Sequence, residues 1–481
     1  MAIDYLVEPW AHQRQAVEAA AGKDCYALFF EQGCGKTAAL INILRQIYVT
    51  KGKLVNTLII CPDIVVQNWR REFAVYSRIS ESQIKTAQGT FFNRMCELDN
   101  VSENSPHIVI TNYYSLLMEK LVERLLKISF PIVILDESHK IKDPTAKTTK
   151  SALKVSKAAT HRFILTGTPI LNSAMDIFSQ FHFLDRGRTF GEKHTAFREQ
   201  YFVDFNAHMP RQNYFPKWVV KPRSLEQINL AIKPQSLRIL KKDCLDLPPL
   251  IRQRINIELS DEQSSIYRSL EKDMVAKLND GTDVVTDLAI TQILRLQQLV
   301  SGYITNENED QIEFDDNPRE RALLEVLSGI GPCHKVLIWA VFQQNYRAVR
   351  RVLSKLNLVH REVVGGMSSA SKQKAVDDFS QLPNVRVLLG HPQSAGIGVN
   401  LVAASYSIFY SRSYSLENDL QAEARNYRGG SERHSQIVRI DLVTSETIDE
   451  VILDALAAKQ ELGDAILKHY KRGTYGTGQA R

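Results

Sequence analysis

Residues 26–37, Tyr26-Ala-Leu-Phe-Phe-Glu-Gln-Gly-Cys-Gly-Lys-Thr37, join an apolar run of strand length to a turn that contains two glycines. Glycine lets the backbone turn so that its N–H groups face a phosphate, and a helix that begins near Lys36 adds its dipole. The Lys36 ammonium would reach the β- and γ-phosphates of a nucleotide, and the Thr37 hydroxyl would bind Mg²⁺. Phe30 replaces the first glycine of the full G-x-x-x-x-G-K-T pattern. The predicted phosphate-binding residues are Gly33, Cys34, Gly35, Lys36 and Thr37.

A second apolar run, Ile132-Val-Ile-Leu-Asp-Glu-Ser-His139, delivers two carboxylates at its end. In open α/β sheets, ligands bind at the carboxyl ends of the strands. We expect Asp136 to hold Mg²⁺ through water and Glu137 to orient or deprotonate an attacking water molecule. Each motif alone also fits an ordinary strand-to-helix turn. Together, on separate strands and in this order, they predict a nucleotide-hydrolysing site.

The rest of the chain repeats the alternation of short apolar runs with amphipathic stretches, in two series separated by roughly 150 residues. Buried apolar strands that alternate with helices imply parallel sheets covered on both faces. We therefore predict the α/β class with two lobes, each a parallel sheet covered by helices. The predicted strands are Tyr26–Phe30, Thr57–Cys61, His107–Thr111, Ile132–Leu135 and Phe163–Thr166, then Lys335–Trp339, Val385–Leu389, Tyr406–Tyr410 and Gln436–Leu442.

Composition excludes several classes of protein. The chain has 481 residues, 44% hydrophobic and 24% charged, which is too apolar for a disordered chain and too ordinary for a fibre. Its six cysteines form no C-x-x-C pair, which argues against a zinc ribbon and fits a reducing compartment. No stretch approaches the ~18 apolar residues of a membrane span, and Asp4 and Glu8 do not suit a signal peptide. We expect no membrane association and a cytoplasmic location.

Positive charge is concentrated in the first half of the chain. Residues 1–250 hold 33 Lys and Arg against 24 Asp and Glu, a net +9, whereas residues 251–481 hold 27 against 30, a net −3. Residues 186–242 alone hold 12 cations and four acids, interleaved with aromatic residues. This pattern is the electrostatic footprint of a polyanion-binding surface, or else a helical protrusion with an ordinary basic face.

Several further blocks resemble the Swi/Snf-type ATPases of helicase superfamily 2, over nearly the whole chain and in order. In the first lobe they are His12-Gln13, Leu58–Phe73, Ile110–Tyr113, Asp136–Pro144 and Leu165–Asn172. In that family the glutamine, here Gln13, reads adenine. The resemblance also implies that Thr111 and Asn112 contact the DNA backbone.

In the second lobe, Gly365-Gly-Met-Ser368, Ser394–Leu401 and Gln421-Ala-Glu-Ala-Arg-Asn-Tyr-Arg428 are similar to the remaining family motifs. By resemblance, Gly396 and Gly398 belong to the nucleotide site, and the DNA contacts are Gly366, Ser368 and Asn400. Arg425 and Arg428 would form a positive fork that reaches the γ-phosphate when the lobes close.

The resemblance implies two RecA-like lobes with helical insertions between them. We predict an N-terminal ATP-binding lobe at 1–245, with a basic helical protrusion at about 186–242. The predicted C-terminal helicase lobe at 250–481 has a helical protrusion at about 260–303, an acidic connector at about 305–320 and a closing C-terminal helix at Glu446–Leu467. Gln32, Cys34 and Ser138 depart from the family pattern, as does Gly429-Gly430-Ser431, and no accessory domain is evident. We therefore expect a minimal member from a phage or a bacterium, in the cytoplasm of the cell or of the infected host.

The implied function is a DNA-dependent ATPase that uses ATP and Mg²⁺ to translocate along double-stranded DNA as a monomeric motor. Lys217, Lys221 and Arg223 are the predicted DNA contacts within the basic section. A strand-separating or branch-migrating helicase is the alternative, and a non-hydrolysing DNA-binding or annealing scaffold is a third. The scaffold is disfavoured because all five predicted catalytic residues are present: Lys36, Asp136, Glu137, Arg425 and Arg428.

Cys34 permits two interpretations. Its place at a helix N-terminus, two residues from Lys36, would lower the pKa of the thiol and make it reactive. Alternatively the side chain packs inward as a small hydrophobic group, in a position that is apolar in the related motors.

Overall fold

A computed structural model describes residues 5–99, 101–102, 104–167, 169, 173–208, 216–279, 285–305, 310–395 and 400–458. The chain divides into two compact units, unit 1 (Met1–Asp246) and unit 2 (Leu247–Arg481). Each unit is built on one parallel sheet with helices on both faces. The predicted α/β class with two RecA-like lobes is therefore confirmed.

Unit 1 contains a seven-stranded sheet in the order β3-β4-β2-β5-β6-β1-β9. All of its neighbouring strands are parallel. The strands of the unit are β1 (Cys25–Phe30), β2 (Thr57–Cys61), β3 (Ile84–Ala87), β4 (Ile108–Asn112), β5 (Ile132–Asp136), β6 (His161–Leu165), β7 (Phe202–Asp204), β8 (Trp218–Val220) and β9 (Ser236–Ile239). Its helices are α1 (Ala11–Ala20), α2 (Lys36–Lys51), α3 (Val66–Tyr76), α4 (Phe91–Asp99), α5 (Glu119–Ile128), α6 (Lys147–Val155), α7 (Ile177–Asp185), α8 (His194–Tyr201), α9 (Ser224–Ile232) and α10 (Lys241–Cys244).

The central strands of unit 1 are buried along their whole length, because helices cover both faces of the sheet. Every residue of β1, β2, β4 and β5 is buried. This is why these strands are continuous apolar runs rather than alternating ones. Since the strands are parallel, the loops that follow β1, β4, β5 and β6 all lie at one edge of the sheet.

The basic section at 186–242 is only partly helical, which corrects the prediction of a helical protrusion. It holds α8 and α9, but β7 and β8 form a separate antiparallel pair, and β9 joins the main sheet beside β1. Phe190, Phe197 and Tyr201 are buried in the hydrophobic core of the unit. These three aromatic residues therefore attach the section to the lobe.

Unit 2 contains a six-stranded parallel sheet in the order β10-β17-β16-β13-β15-β14. Its strands are β10 (Leu250–Ile257), β11 (Tyr303–Thr305), β12 (Gln311–Glu313), β13 (Val336–Trp339), β14 (His360–Val363), β15 (Val387–Gly390), β16 (Tyr406–Phe409) and β17 (Ile437–Thr444). Its helices are α11 (Asp261–Asn279), α12 (Val285–Val300), α13 (Pro318–Gly329), α14 (Gln343–Lys355), α15 (Ser369–Gln381), α16 (Pro392–Ala395), α17 (Leu416–Glu423) and α18 (Ile448–Ala458).

The second sheet is also covered on both faces. In β13, Val336 and Ile338 belong to one buried cluster, while Leu337 and Trp339 belong to the cluster on the opposite face. The region predicted as a helical protrusion contains α11 and α12, and the acidic connector contains β12, which pairs with β11. The closing helix is described over α18, and the remainder of the predicted range lies outside the described residues. Among the described residues no helix combines the length and the hydropathy that a membrane span requires.

Candidate active site

The loop after β1 has the backbone that a phosphate cradle needs. Gly33 and Gly35 adopt φ values of 91° and 72°, in the left-handed region that favours glycine. Helix α2 begins at Lys36, directly after this turn. The Lys36 Nζ donates to the carbonyl of Phe30 at 3.2 Å, so the ammonium folds back over its own loop. The N–H groups at the start of α2 and this ammonium provide an anion site.

Gln13, the predicted adenine-reading residue, is held against the phosphate loop. Its Nε2 donates to the Gly35 carbonyl at 3.3 Å, and its Oε1 accepts the backbone N–H of Trp10 at 2.9 Å. A Cβ on Gly35 would lie 2.1 Å from the Gln13 Nε2. Gly35 therefore serves two purposes, the left-handed turn and the space for the glutamine.

Asp136, the last residue of β5, is buried with both carboxylate oxygens engaged. The Trp69 Nε1 donates to Oδ2 at 2.9 Å, and the Glu137 backbone N–H donates to Oδ1 at 3.0 Å. Burial and the neighbouring Glu137 carboxylate raise the pKa of Asp136 to about 6, although the Lys36 ammonium and the two hydrogen bonds oppose them. Because β6 lies between β5 and β1 in the parallel sheet, Asp136 and the phosphate loop lie two strands apart at the same edge.

Glu137 follows in a left-handed conformation, with φ 54°, which is strained for a side chain of this size. The hydroxyl of the buried Thr166, in the loop after β6, donates to the Glu137 Oε2 at 3.3 Å. The Nδ1 of His139 lies 3.5 Å from the same oxygen and 3.1 Å from the Thr166 hydroxyl. A three-residue cluster therefore aims the carboxylate that we predict to act on water.

Cys34 lies inside the phosphate loop and is fully buried. Burial, with the adjacent Cys244 thiol, raises the pKa of Cys34 to about 12. Of the two interpretations of Cys34, the structure disfavours the lowered pKa, because desolvation outweighs the nearby Lys36 and Lys241. The Cys34 Sγ lies 3.6 Å from the Cys244 Sγ. This is the inward packing that we gave as the alternative.

The phosphate loop is also tied to the last residues of unit 1. The Glu31 carboxylate accepts the Lys241 backbone N–H at 2.8 Å, and the Glu31 N–H donates to the Ile239 carbonyl at 2.9 Å. With the Cys34–Cys244 contact, three interactions join this loop to residues that are more than 200 positions later in the chain.

The residues at this site fit a Mg²⁺ ion that takes most of its ligands from water and from the phosphates of a bound nucleotide. Within the described ranges no group of three or more His, Cys, Asp or Glu is arranged to hold a metal ion. Mg²⁺ typically uses one or two protein oxygens and takes the remainder from phosphates and water. The Asp136 carboxylate and the Thr37 hydroxyl are oxygen ligands of that kind, and their binding of Mg²⁺ stays a prediction.

In unit 2, Arg425 and Arg428 follow directly after α17. The Arg425 side chain is buried, with 5% of its surface exposed, while Arg428 is half-buried. The turn is fixed by its backbone: the Arg425 carbonyl accepts the Leu401 N–H at 3.0 Å. Gly396 and Gly398 lie outside the described residues.

Thr111 and Asn112, predicted as DNA contacts, have buried side chains. The Thr111 hydroxyl donates to the Ala87 carbonyl at 2.9 Å, and the Asn112 Oδ1 accepts from the Arg94 Nη1 at 2.8 Å. Both side chains face inward and support the loop after β4. The prediction that they bind DNA stays a prediction, with the backbone and neighbours of this loop as the accessible groups.

The three basic residues predicted to bind DNA differ in their surroundings. Lys217 and Arg223 are exposed. The Lys221 ammonium donates to the carbonyls of Glu199 and Gln200 at the end of α8, which gives it a structural role.

Of the second-unit candidates for DNA contact, Gly366 and Ser368 lie in the loop after β14, and Asn400 lies between α16 and β16. Gly366 is exposed at φ 79° with open space where a Cβ would be. The Ser368 hydroxyl accepts the Ser371 N–H at 3.1 Å and so caps α15. Asn400 is exposed, and its Oδ1 accepts the Val402 N–H at 3.2 Å.

Several residues that build the site carried no role in the sequence-based prediction. These residues are Trp69, His139 and Cys244, whose partners Asp136, Thr166 and Cys34 belong to other elements of the fold. In unit 2 the sequence contained a sign of buried polar residues that the prediction did not use. Arg439 and Asp441, two positions apart, interrupt the otherwise apolar strand β17 and lie on the same face of it.

Two family models match the chain in order. The model of the SNF2-related domain matches residues 12–302, more than half of the 481 residues. The chain belongs to the SNF2-related family. The model of the helicase conserved C-terminal domain matches residues 319–430 of this SNF2 chain. The predicted membership of the Swi/Snf-type group in helicase superfamily 2 is confirmed.

The relatives of the SNF2 chain include large and small proteins. Chromodomain-helicase-DNA-binding protein 7 of Gallus gallus is 26% identical over 502 residues, which cover 97% of this chain and 15% of the relative. The chain thus spans about a sixth of the length of the chromodomain relatives. "Putative protein p41" of Acyrthosiphon pisum secondary endosymbiont phage 1 is 25% identical over 453 residues, 92% of this chain and 94% of the relative. A phage homologue therefore exists.

Among solved structures, the Sulfolobus solfataricus SWI2/SNF2 ATPase core in complex with dsDNA is 21% identical, with a TM-score of 0.45. The alignment covers 97% of this chain and 94% of that one.

Proposed function

We propose that this chain hydrolyses ATP at the site formed by Lys36, Asp136 and Glu137, and that it uses the energy to translocate along double-stranded DNA. The observation that carries the proposal is that these three groups meet at one edge of the first sheet. The phosphate loop follows β1, Asp136 and Glu137 lie at the end of β5, and the Thr166 hydroxyl, after the intervening strand β6, donates to Glu137.

We assign a separate chemical role to each residue of the proposed ATP site. Lys36 and the N–H groups at the start of α2 bind and orient the phosphates, since fixed positive charge stabilises the charge that develops on the transferred group. Glu137 accepts a proton from the attacking water at its Oε atoms, and His139 and Thr166 keep it aimed. Thr37 and Asp136 would hold Mg²⁺, which would neutralise the charge on the phosphate oxygens.

Arg428 is the residue of the second unit to which we assign a role in hydrolysis. It is less buried than Arg425, which suits a group that must reach an external phosphate. We propose that closure of the two lobes brings this guanidinium to the γ-phosphate, so that hydrolysis is coupled to the movement of the lobes.

DNA as the track is supported by charge and by membership of the SNF2-related family. Residues 1–250 carry a net +9, and Lys217 and Arg223 are exposed within the basic section. Contacts to phosphates would make binding largely independent of sequence and sensitive to salt.

The test is the ATPase rate of the purified protein with duplex DNA, with single-stranded DNA and without DNA. We expect the highest rate with duplex DNA, no turnover for Lys36→Ala, and ATP binding without hydrolysis for Glu137→Gln. Near-normal turnover by Glu137→Gln would refute the assignment of the base. Equal rates with and without DNA would refute the DNA-dependent motor.

A separate test examines the basic section. Charge reversal at Lys217 and Arg223 should weaken DNA binding and flatten the dependence of its affinity on salt, by about one ion per lost phosphate contact. Lys140, which is exposed in the first unit and outside this section, provides the matched control. An unchanged salt dependence would show that the basic section faces solvent or another protein.

A further inference from the structure

The second unit contains a buried cluster of charged side chains that the proposed chemistry does not use. Strand β17 is buried at all eight positions, yet two of them are Arg439 and Asp441. A strand of this kind is normally apolar, because a buried charge is costly unless it is paired and hydrogen-bonded. The cluster therefore requires an explanation.

The charges are balanced and the geometry is close. The Arg439 guanidinium contacts Asp419 at 2.9 Å, Glu423 at 2.8 Å and Asp441 at 3.0 Å. Arg412 contacts Asp419 at 3.1 Å and also Asp441. Arg252 of β10 completes the set by contacting Glu423 at 2.9 Å. Three guanidiniums thus face three carboxylates, with Arg439 and Arg412 buried and Arg252 exposed at the margin of the cluster.

An aromatic ring packs against the two buried guanidiniums of the cluster. The guanidiniums of Arg439 and Arg412 lie 4.1 Å and 4.7 Å from the centroid of the Phe409 ring. Burial alone would lower the pKa of Arg439, but the carboxylates around it raise it above its usual range, so the side chain stays charged. Arg439 presents a fixed planar fork to carboxylates on two different elements.

Two of these carboxylates, Asp419 and Glu423, lie one turn apart on α17, and the helix leads directly into the predicted arginine fork. Glu423 is the last residue of the helix, and its backbone carbonyl accepts the Tyr427 N–H at 3.2 Å. The Arg425 N–H donates to the Ala422 carbonyl at 3.2 Å. The turn that carries Arg428 thus begins on a residue whose side chain is clamped to β17.

We infer that Arg439 is a positioning residue for hydrolysis: through Asp419 and Glu423 it sets the orientation of α17 and hence of the Arg425–Arg428 turn. The inference rests on the proposed function. A buried ion network contributes little net stability compared with apolar packing, but its directional contacts specify one arrangement. An error of about 1 Å in a catalytic group can lower a rate about 100-fold.

Arg439→Lys is the decisive variant, because lysine keeps the charge and lacks the fork. Arg350→Met is the matched control: Arg350 forms a two-point pair with Glu362, at 2.7 and 2.6 Å, but it lies beside β14 at the opposite edge of the same sheet from β10 and β17. Arg439→Met with Asp441→Asn removes one charge of each sign and tests the charge balance separately.

Two measurements are needed. We expect Arg439→Lys to lower kcat at least about tenfold with the KM for ATP changed less than about threefold, since ATP is held by the first unit. In hydrogen exchange of the nucleotide-free protein, the amides of Arg425 and Tyr427 should lose at least about tenfold protection, while those of β13 keep theirs. Arg350→Met should change neither quantity.

The outcomes separate the two claims. If Arg439→Lys keeps wild-type protection at residues 416–428, or keeps kcat within about twofold, the positioning role is overturned. If β13 loses protection as well, Arg439 supports the whole unit and the inference is wrong. If the wild type does not hydrolyse ATP, the proposed function fails, and hydrogen exchange alone decides whether Arg439 holds the turn. The double variant keeps the net charge but has no guanidinium at position 439. Wild-type protection of residues 416–428 in that variant would show that the fork is not required, and would also overturn the inference.

Discussion

Replacing Asp136 with asparagine is expected to stabilise the nucleotide-free, Mg²⁺-free protein, and to do so more strongly as the pH rises. Burial raises the pKa of Asp136 from its ordinary value of about 4 to about 6. Because the pKa of Asp136 is higher in the folded state than in the unfolded state, the free energy of unfolding is highest below pH ~4, where Asp136 is protonated in both states. It decreases as the pH rises through ~6 and Asp136 ionises in the folded state. That loss is about 1.5 kcal/mol at pH 5 and about 3 kcal/mol at pH 8.

Asparagine removes the titration at the cost of one hydrogen bond. Its single carbonyl oxygen can accept from either the Trp69 Nε1 or the Glu137 N–H, which costs about 1 kcal/mol. The variant should therefore be more stable than the wild type by about 0.5 kcal/mol at pH 5 and about 2 kcal/mol at pH 8. Urea unfolding followed by tryptophan fluorescence measures this in a Trp339→Phe background, where the three remaining tryptophans all lie in unit 1.

Asp143→Asn is the control for the pH dependence. Hydrogen bonds from Thr145 lower the pKa of the exposed Asp143, so its contribution is lost only when the pH falls through that lowered value. Its effect should be constant between pH 5 and pH 8. A difference between Asp136→Asn and the wild type that does not change over this range would show that Asp136 is not the group with the raised pKa.

Three further outcomes follow from the site. Arg428→Ala should lower kcat much more than ATP affinity, by the roughly 10³–10⁵-fold that an arginine finger contributes, measured by steady-state kinetics and nucleotide titration; equal losses in both would contradict the fork. Gly35→Ala should abolish nucleotide binding in a titration while circular dichroism stays native, because φ is 72° there and the Cβ has no room. Maleimide should label the exposed Cys96 and Cys333 and leave Cys34 unmodified by mass spectrometry, without loss of ATPase activity; inhibition through Cys34 would restore the reactive-thiol interpretation.

The sequence was most informative about strands in the middle of the sheets. The apolar runs that predicted β1, β2, β5 and β13 are continuous because helices cover both faces. The edge strands β3, β9 and β14 went unpredicted because each has one open side and holds polar residues, as in Ile84-Lys-Thr-Ala87. Edge strands carry a weaker hydropathy signal for that reason.

For the site, motif spacing predicted which residues stand at the carboxyl edge, since parallel strands place consecutive loops there. It did not predict which of them face inward. Thr111 and Asn112, at the end of β4, are buried because Arg94 of helix α4 packs against them. Cys34 is buried because Cys244 packs on it from 210 residues away. Contacts over such distances depend on the tertiary fold, and a single sequence does not encode them in its local pattern.

The ties between the phosphate loop and residues 239–244 have a consequence for biosynthesis. Strand β1 is made early, but its neighbour β9 and the partners of Glu31 and Cys34 follow some 200 residues later. At 5–20 residues per second, a ribosome needs roughly 10–40 s to reach them. During that interval β1 is an unpaired edge in the nascent chain, and such edges recruit other strands. We therefore expect the phosphate loop to reach its final arrangement only after residues 239–244 have left the exit tunnel, so that the first half of the chain is exposed to misassociation for longer than the order of its strands alone would suggest.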